Sequence, residues 1–118
     1  MSQIQIKRIY EPADESDGFR ILVDRLWPRG VKKESAHLDI WLKEAGPSNE
    51  LRKWFNHDPE KWEAFKKKYK DELKKSATTK ELIDLVSKHK KTTLLYSAHD
   101  EEHNQAQVLL QFLKGEAR

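Results

Sequence analysis

The chain has 118 residues, of which 36% are hydrophobic and 36% charged, and its net charge is +3. Its length predicts one domain over residues 1–118, and the lack of cysteine excludes disulfides, thiolate nucleophiles and cysteine-ligated metals. No run of about 18 apolar residues exists, and the first residues lack the pattern of a signal peptide, so we expect a cytoplasmic protein without a membrane span.

Two strands are predicted near the beginning of the chain. Apolar and polar residues alternate imperfectly over residues 4–10, as in a half-buried strand. Residues 11–18 are polar and rich in turn residues, and residues 19–25 then form the apolar run of a buried strand. The connection is too short for a crossover helix. The two strands therefore form either an antiparallel hairpin or two members of the sheet joined by an irregular loop.

Helical patterns fill the middle of the chain. A short helix is predicted over residues 36–44, and Ser48 is suited to cap a second helix over residues 49–55. Asp58 followed by Pro59 is a stronger helix start. The helix behind it carries an apolar stripe at spacings of three and four, which consists of Trp62, Phe65, Tyr69, Leu73 and Ser76.

The last third of the chain predicts a helix, a strand and a final helix. Thr78 and Glu81 form a capping-box pattern at the start of the first of these helices. Residues 92–96 are β-branched, aliphatic and aromatic, which predicts the third strand. The final helix is predicted over residues 104–114, with Gly115 at its end.

This order of elements is typical of an α/β fold, here a single small domain with a short, mainly parallel β-sheet flanked by helices. The second and third strands are separated by several helices, so we expect them to be parallel neighbours with a right-handed crossover. Their C-terminal ends then meet at one edge of the sheet, which is where open α/β sheets bind ligands.

The loop that leaves the second strand carries Asp24, Arg25, Trp27 and Arg29. Arginine presents planar donors that suit a carboxylate or phosphate, so Arg25 and Arg29 are expected to bind a small anionic ligand. Trp27 lies between them as a candidate ligand contact, and Asp24 is a catalytic candidate that would orient the arginines. In the alternative interpretation, Arg25 pairs with Asp24 or with a helix C-terminus and is purely structural.

The segment after the third strand contains His99, Asp100, Glu101 and His103. Imidazole titrates near neutral pH, so His99 and His103 are the candidate groups for proton transfer in an enzyme whose reaction is left open. Histidines four residues apart beside carboxylates also suit a zinc site, but Asp100 and Glu101 are equally favoured at a helix N-terminus. We therefore predict no metal and no cofactor.

A lysine-rich segment gives an alternative function. Residues 61–75 contain seven lysines against three acidic residues, and such clusters can follow a phosphate backbone. This pattern is the basis for the alternatives of a nucleic-acid-binding accessory protein or an interaction module without catalysis. Pairs of opposite charge four residues apart indicate instead a solvated helix face, so we do not expect nucleic acid as the partner. The sequence gives no prediction of oligomeric state.

Short motifs distributed over nearly the whole chain carry a resemblance to a known family. The motifs are Arg8-Ile9-Tyr10, Asp17-Gly18, the block RILVDRLWPRG at residues 20–30, LRKWF at 51–55, HDPEKW at 57–62, LLY at 94–96 and DEEHN at 100–104. Together they resemble the YeaO-like family of small bacterial proteins, which is a family of unknown function.

The resemblance implies a compact cytoplasmic α/β domain with no established activity. Some relatives are labelled transcriptional regulators, although this sequence contains no two-helix recognition unit with a tight glycine turn. Wider relatives often carry a cysteine after the leucines of the third strand and a Cys-His-Arg run soon after it. This chain has Tyr96 and residues 104–106 there, so thiol chemistry is excluded, and Tyr96 and Asn104 join the candidate ligand-binding residues.

Overall fold

A four-stranded, fully parallel β-sheet forms the centre of the computed structural model, which describes residues 3–116. The strands are β1 (Gln3–Arg8), β2 (Phe19–Leu22), β3 (Ile40–Trp41) and β4 (Lys91–Tyr96). They lie in the order β1-β4-β2-β3, so that β4 is an interior strand although it comes last in sequence. The predicted small α/β fold with a parallel sheet is confirmed.

The C-terminal halves of the two interior strands are apolar on both faces, as expected of parallel strands covered on each side. Ile21, Leu22, Leu94 and Leu95 are all 0% exposed. β2 pairs in parallel with β4, which places Ile21 opposite Leu94 and confirms the predicted neighbours. The regular pairing of β2 ends at Leu22 rather than at residue 25.

The relation between the first two strands, which the sequence leaves open, is now defined. β1 pairs in parallel with β4 on one side, and β2 pairs with β4 on the other, so β1 and β2 are parallel but are not neighbours. The connection between them contains one short 3-10 turn at Glu15–Asp17. Of the two alternatives, the irregular loop between sheet members is the correct one.

Four helices cover one face of the sheet. They are α2 (Asn49–Phe55), α3 (Trp62–Lys75), α4 (Ala77–Lys88) and α5 (Gln105–Glu116). Phe65, Tyr69 and Leu73 of the predicted stripe are at most 2% exposed in the core that these helices form with the sheet. The predicted cap of α2 is confirmed, because the backbone N–H of Leu51 donates to Ser48 Oγ at 3.1 Å.

The prediction of a helix over residues 36–44 is wrong. The helix α1 (Lys33–Ala36) ends where His37 adopts a left-handed backbone with φ +50°. Ile40 and Trp41 then form β3 beside β2, and a 3-10 turn follows at Lys43–Ala45. A β-branched residue followed by an aromatic one fits the pleated edge of a sheet, and this tertiary pairing outweighs the weak helical periodicity.

Helix boundaries elsewhere differ by a few residues from the prediction. Asp58 caps a 3-10 turn, Pro59–Lys61, which leads into α3. Ser76 rather than Thr78 caps α4, since Ser76 Oγ accepts from the backbone N–H of Thr78 at 3.2 Å. The last helix begins at Gln105 and continues through Gly115. Among residues 3–116, no helix has both the length and the apolar character needed to cross a membrane.

The other face of the sheet is covered by α1 and by loops, which a buried ion network holds in place. Asp17 is 1% exposed and pairs with Arg20 and with Lys7, whose Nζ lies 3.1 Å from Asp17 Oδ1. Burial raises the pKa of Asp17, but hydrogen bonds from Lys7, from a backbone N–H and from Arg20 outweigh it, and the pKa is lowered overall. Arg20 also donates to the carbonyl of Ala36 at 3.0 Å, which ties α1 to the sheet.

Candidate functional site

The C-terminal ends of β2 and β4 lie side by side, and the chain leaves them toward opposite faces of the sheet. After β2 it packs Trp27 and Val31 against the face that carries α1. After β4 it leads into α5, on the face covered by the long helices. In open α/β sheets a reversal of this kind creates a crevice beyond the carboxyl ends of the strands, and ligands bind there.

A cavity of about 740 Å³ opens at this reversal. This volume lies within the usual range for small-molecule sites, roughly 300–1,000 Å³. The lining comes from residues 24–29 after β2, from residues 97–100 and 103–105 after β4, and from the side of α2 and α3. Seven of the eight predicted site residues line it, namely Asp24, Arg25, Trp27, Arg29, His99, His103 and Asn104.

Asp24 joins the two exit loops through its carboxylate. One oxygen accepts from the backbone N–H of Ser97 at 3.0 Å and from Ser97 Oγ at 2.6 Å, and the other accepts from the side-chain amide of Gln105. Asp24 is only 7% exposed, and this burial raises the pKa of its carboxyl group in spite of the hydrogen bonds. Asp24 therefore orients the loop after β4 rather than the arginines of its own loop.

Arg25 is held by main-chain carbonyls and makes no salt bridge within residues 3–116. Its Nε donates to the carbonyl of Pro47 at 2.7 Å and its Nη2 to that of Gly46 at 3.2 Å. A Cβ on Gly46 would lie 2.9 Å from the backbone nitrogen of Arg25, so glycine permits this close approach. Because carbonyl oxygens do not neutralise the guanidinium, it keeps its positive charge at the cavity wall.

Arg52 is a further cationic residue of the cavity, and the sequence gave no reason to select it. It lies in α2, and its Nε is buried without a hydrogen-bond partner among residues 3–116. Buried donors are nearly always paired, and leaving one unpaired is costly. Arg52 occupies the interior of a helix, where no turn or loop signal marks a functional residue. The one indication in the sequence was its place in the motif LRKWF at residues 51–55.

His57 enters the cavity lining through an unusual turn of the backbone. Asn56 and His57 both have positive φ, at +45° and +54°, and together they reverse the chain after α2. A left-handed backbone costs about 1–2 kcal/mol for a residue with a Cβ, although asparagine tolerates it better than most. Strained residues of this kind are concentrated at functional sites. In the sequence, His57 precedes the helix cap Asp58 and begins the motif HDPEKW at residues 57–62.

The segment after β4 holds both predicted histidines at the cavity. His99 is exposed, whereas His103 is half-buried and its Nδ1 lies 2.9 Å from Asp100 Oδ2. Backbone N–H donors of His103 and Glu102 lower the pKa of Asp100, so this residue is a carboxylate. Asn104 is 2% exposed, and its side chain accepts from the backbone N–H of Gln107 at 3.0 Å. Asn104 therefore caps the start of α5.

Trp27 and Tyr96 have different positions relative to the cavity. The Trp27 indole donates to the carbonyl of Val31 at 2.7 Å and packs edge-on against Trp41, with ring centroids 5.2 Å apart. Trp27 lines the cavity with its half-buried ring. Tyr96 is 3% exposed in the core and lies outside the lining. Its burial, together with the charges of Glu101 and Glu11, raises the pKa of its hydroxyl.

The electrostatic balance of the lining is cationic. Three arginines face two aspartates, and both aspartates already accept hydrogen bonds from the protein. Among residues 3–116 no group of three or more His, Cys, Asp or Glu side chains is arranged to hold a metal ion. The arrangement is therefore suited to an anionic group.

The chain is similar to known proteins over nearly its full length. A family model described as "Inactive DUF488-N3 subclade" matches residues 3–118. "Uncharacterized protein YeaO" of Escherichia coli (strain K12) is 46% identical over 111 residues, which are 94% of this chain and 96% of the relative. An uncharacterized protein of Mycobacterium tuberculosis (strain ATCC 25618 / H37Rv) is 39% identical over 114 residues, 97% and 96% of the two chains. No solved structure has significant similarity to the chain.

Proposed function

The chain belongs to the family described as the inactive DUF488-N3 subclade, and we propose that it is a cytoplasmic binding protein for a small anionic molecule. A carboxylate or phosphate group of this molecule occupies the cavity between the exit loops of β2 and β4. Arg25 and Arg52 are its main contacts, and the exposed Arg29 attracts it at the rim.

The observation that carries this proposal is the position of Arg52 in the cavity lining without a salt bridge to any of the described residues. Arg25 supports it, because two carbonyls fix its guanidinium at the same cavity. An oxyanion that binds here gains charge-assisted hydrogen bonds from the two guanidiniums, and because that of Arg25 is already held in place, its side chain loses little entropy on binding.

Binding without turnover fits the state of the polar groups. The carboxylate of Asp24 accepts from Ser97 and Gln105, and Nδ1 of His103 is paired with Asp100. Asp24 is therefore occupied in joining the two exit loops, whereas the pairing of His103 with Asp100 leaves its Nε2 without a hydrogen bond to the described residues. The family description also contains the word "inactive". His99 remains the exposed candidate for proton transfer in the alternative of an enzyme.

The proposal is tested by thermal unfolding in inorganic phosphate, with sodium chloride at matched ionic strength as the reference. A ligand at about ten times its Kd stabilises the folded state by about 1.4 kcal/mol. For a domain of this size that raises Tm by about 5 °C. The variant Arg52→Gln should remain folded and lose the response to phosphate.

Lys53→Gln is the matched control, because Lys53 is the exposed neighbour of Arg52 on α2 and lies outside the cavity lining. It removes the same charge and should retain the full phosphate response. The proposal fails if phosphate does not shift Tm beyond chloride, or if Arg52→Gln responds as the native protein does.

A further inference from the structure

The wall of the cavity contains aromatic side chains as well as charged groups. Phe55 and Phe65 contribute to the lining, and their rings stack with centroids 4.2 Å apart and an interplanar angle of 22°. They are 6% and 1% exposed, so the surrounding core fixes both rings. Trp27 also lines the cavity, but from the cluster on the other face of the sheet, and its indole is fixed by the hydrogen bond to Val31.

The size of the cavity does not match a bare oxyanion. A phosphate or carboxylate fills only a small part of about 740 Å³. The remaining space adjoins aromatic side chains that offer water few hydrogen bonds. An apolar group of a ligand gains affinity when it displaces water that is poorly ordered next to such side chains. Small-molecule sites typically combine such an apolar lining with a few fixed polar groups.

We propose that the ligand is an aromatic ring that bears the anionic group, as in an aryl phosphate or an aryl carboxylate. The inference rests on the proposed function, because Arg25 and Arg52 hold the anionic group while the ring lies against Trp27, Phe55 and Phe65. Aromatic side chains favour a ring through offset-stacked or edge-on contacts beyond the area that it buries. The ring therefore supplies selectivity that the arginines alone do not provide.

The experiment compares probes that share an anionic group and differ in the body attached to it. Phenyl phosphate and methyl phosphate form one pair, and benzoate and acetate form the other, each titrated by calorimetry against the native protein. Burying a ring of this size strengthens binding by about 10- to 100-fold. We expect that difference in at least one pair, accompanied by a change in tryptophan fluorescence when the ring contacts Trp27.

Trp27→Leu tests the wall, and Trp54→Leu is its control. Trp54 is 39% exposed and lies outside the cavity lining. Trp27→Leu should reduce the preference for phenyl over methyl phosphate by several-fold, whereas Trp54→Leu should leave this preference unchanged. If Trp27→Leu does not fold, the probe pairs on the native protein still decide the question.

The two proposals fail in different ways. If both members of each pair bind equally well, the aromatic ring is refuted and the anion site stands. If none of the four probes binds the native protein, the anion site and the ring are both refuted. If a ring compound without an anionic group, such as phenol, binds as tightly as phenyl phosphate, the arginines have no role and the proposed function is refuted.

Discussion

Replacing Asp24 by asparagine tests whether the cavity binds an anion. The alternatives are that the Asp24 carboxylate binds a cation or takes part in catalysis. The side chain lines the cavity, and asparagine has nearly the same shape. Its amide oxygen retains the bonds from Ser97, and the amide of Gln105 turns over to accept from the new NH₂ group. The substitution therefore removes a negative charge while the two exit loops remain connected.

The expected gain in phosphate affinity follows from Coulomb's law. An anion about 7 Å from the Asp24 carboxylate is repelled by about 1 kcal/mol at an effective dielectric constant of about 40. Asp24→Asn should therefore bind phosphate about five- to tenfold more tightly than the native protein. If the carboxylate instead takes part in holding the ligand, its loss weakens binding.

The same variant has a defined pH dependence of stability. Burial raises the pKa of Asp24 above its ordinary value of 3.8. Because the pKa of Asp24 is higher in the folded state, the protonated side chain stabilises the fold. This stabilisation is fully present below the ordinary pKa and is lost as the pH rises through the pKa of the folded state. Asparagine does not titrate, so the free energy of unfolding of Asp24→Asn should increase relative to that of the native protein as the pH rises above 3.8.

The assay is calorimetric titration with phosphate at constant ionic strength, together with urea unfolding at several pH values. Asp71→Asn is the control, because Asp71 is exposed on α3 outside the cavity lining and the change in net charge is the same. Weaker phosphate binding by a folded Asp24→Asn would refute the reasoning, as would an equal gain in the control.

Three further predictions concern the backbone and the lysine-rich helix. Gly18→Ala should destabilise the fold by about 3 kcal/mol in urea unfolding, because φ is +68° and the new Cβ would lie 2.4 Å from the carbonyl oxygen of Lys91. A loss of stability below about 1 kcal/mol would contradict this prediction. His57→Gly should be about 1 kcal/mol more stable than His57→Ala, since only glycine relieves the left-handed backbone, and equal stabilities would argue against strain. Replacing the exposed lysines Lys67, Lys68 and Lys75 of α3 by glutamate should preserve the fold and the phosphate response. If the native protein instead binds DNA or RNA in a salt-sensitive way and this variant does not, the partner is a nucleic acid.

The sequence predicted the elements whose signal is local. The buried run through Ile21 and Val23 and the run through Leu94 and Leu95 have the composition of interior strands, and the structure pairs them as expected. Because both strands end at the same edge, the predicted meeting of the arginine loop with the histidine segment followed from topology alone. Capping at Ser48 was equally local.

Features that depend on tertiary contacts were not accessible in this way. Ile40 and Trp41 form a strand only because β2 offers a free edge, and two residues are too few for a period to be recognised. Arg52 reaches the cavity from the interior of α2, and His57 reaches it through a left-handed turn that no glycine marks. Tyr96 continues the apolar alternation of β4 into the core, which is why a residue next to the edge lies outside the lining.

The interior position of β4 determines when this domain can fold during synthesis. β1 has β4 as its partner in the described sheet, and the pair Ile6 and Leu94 is separated by most of the chain. Residues 91–96 must therefore leave the ribosome before β1 can pair. Until then, β2 and β3 can pair only with each other, through two residues of each strand. Contacts of such long sequence separation slow folding, and they leave strand edges open to other chains in the meantime. The pairing of β1 is thus a late step in the folding of this domain.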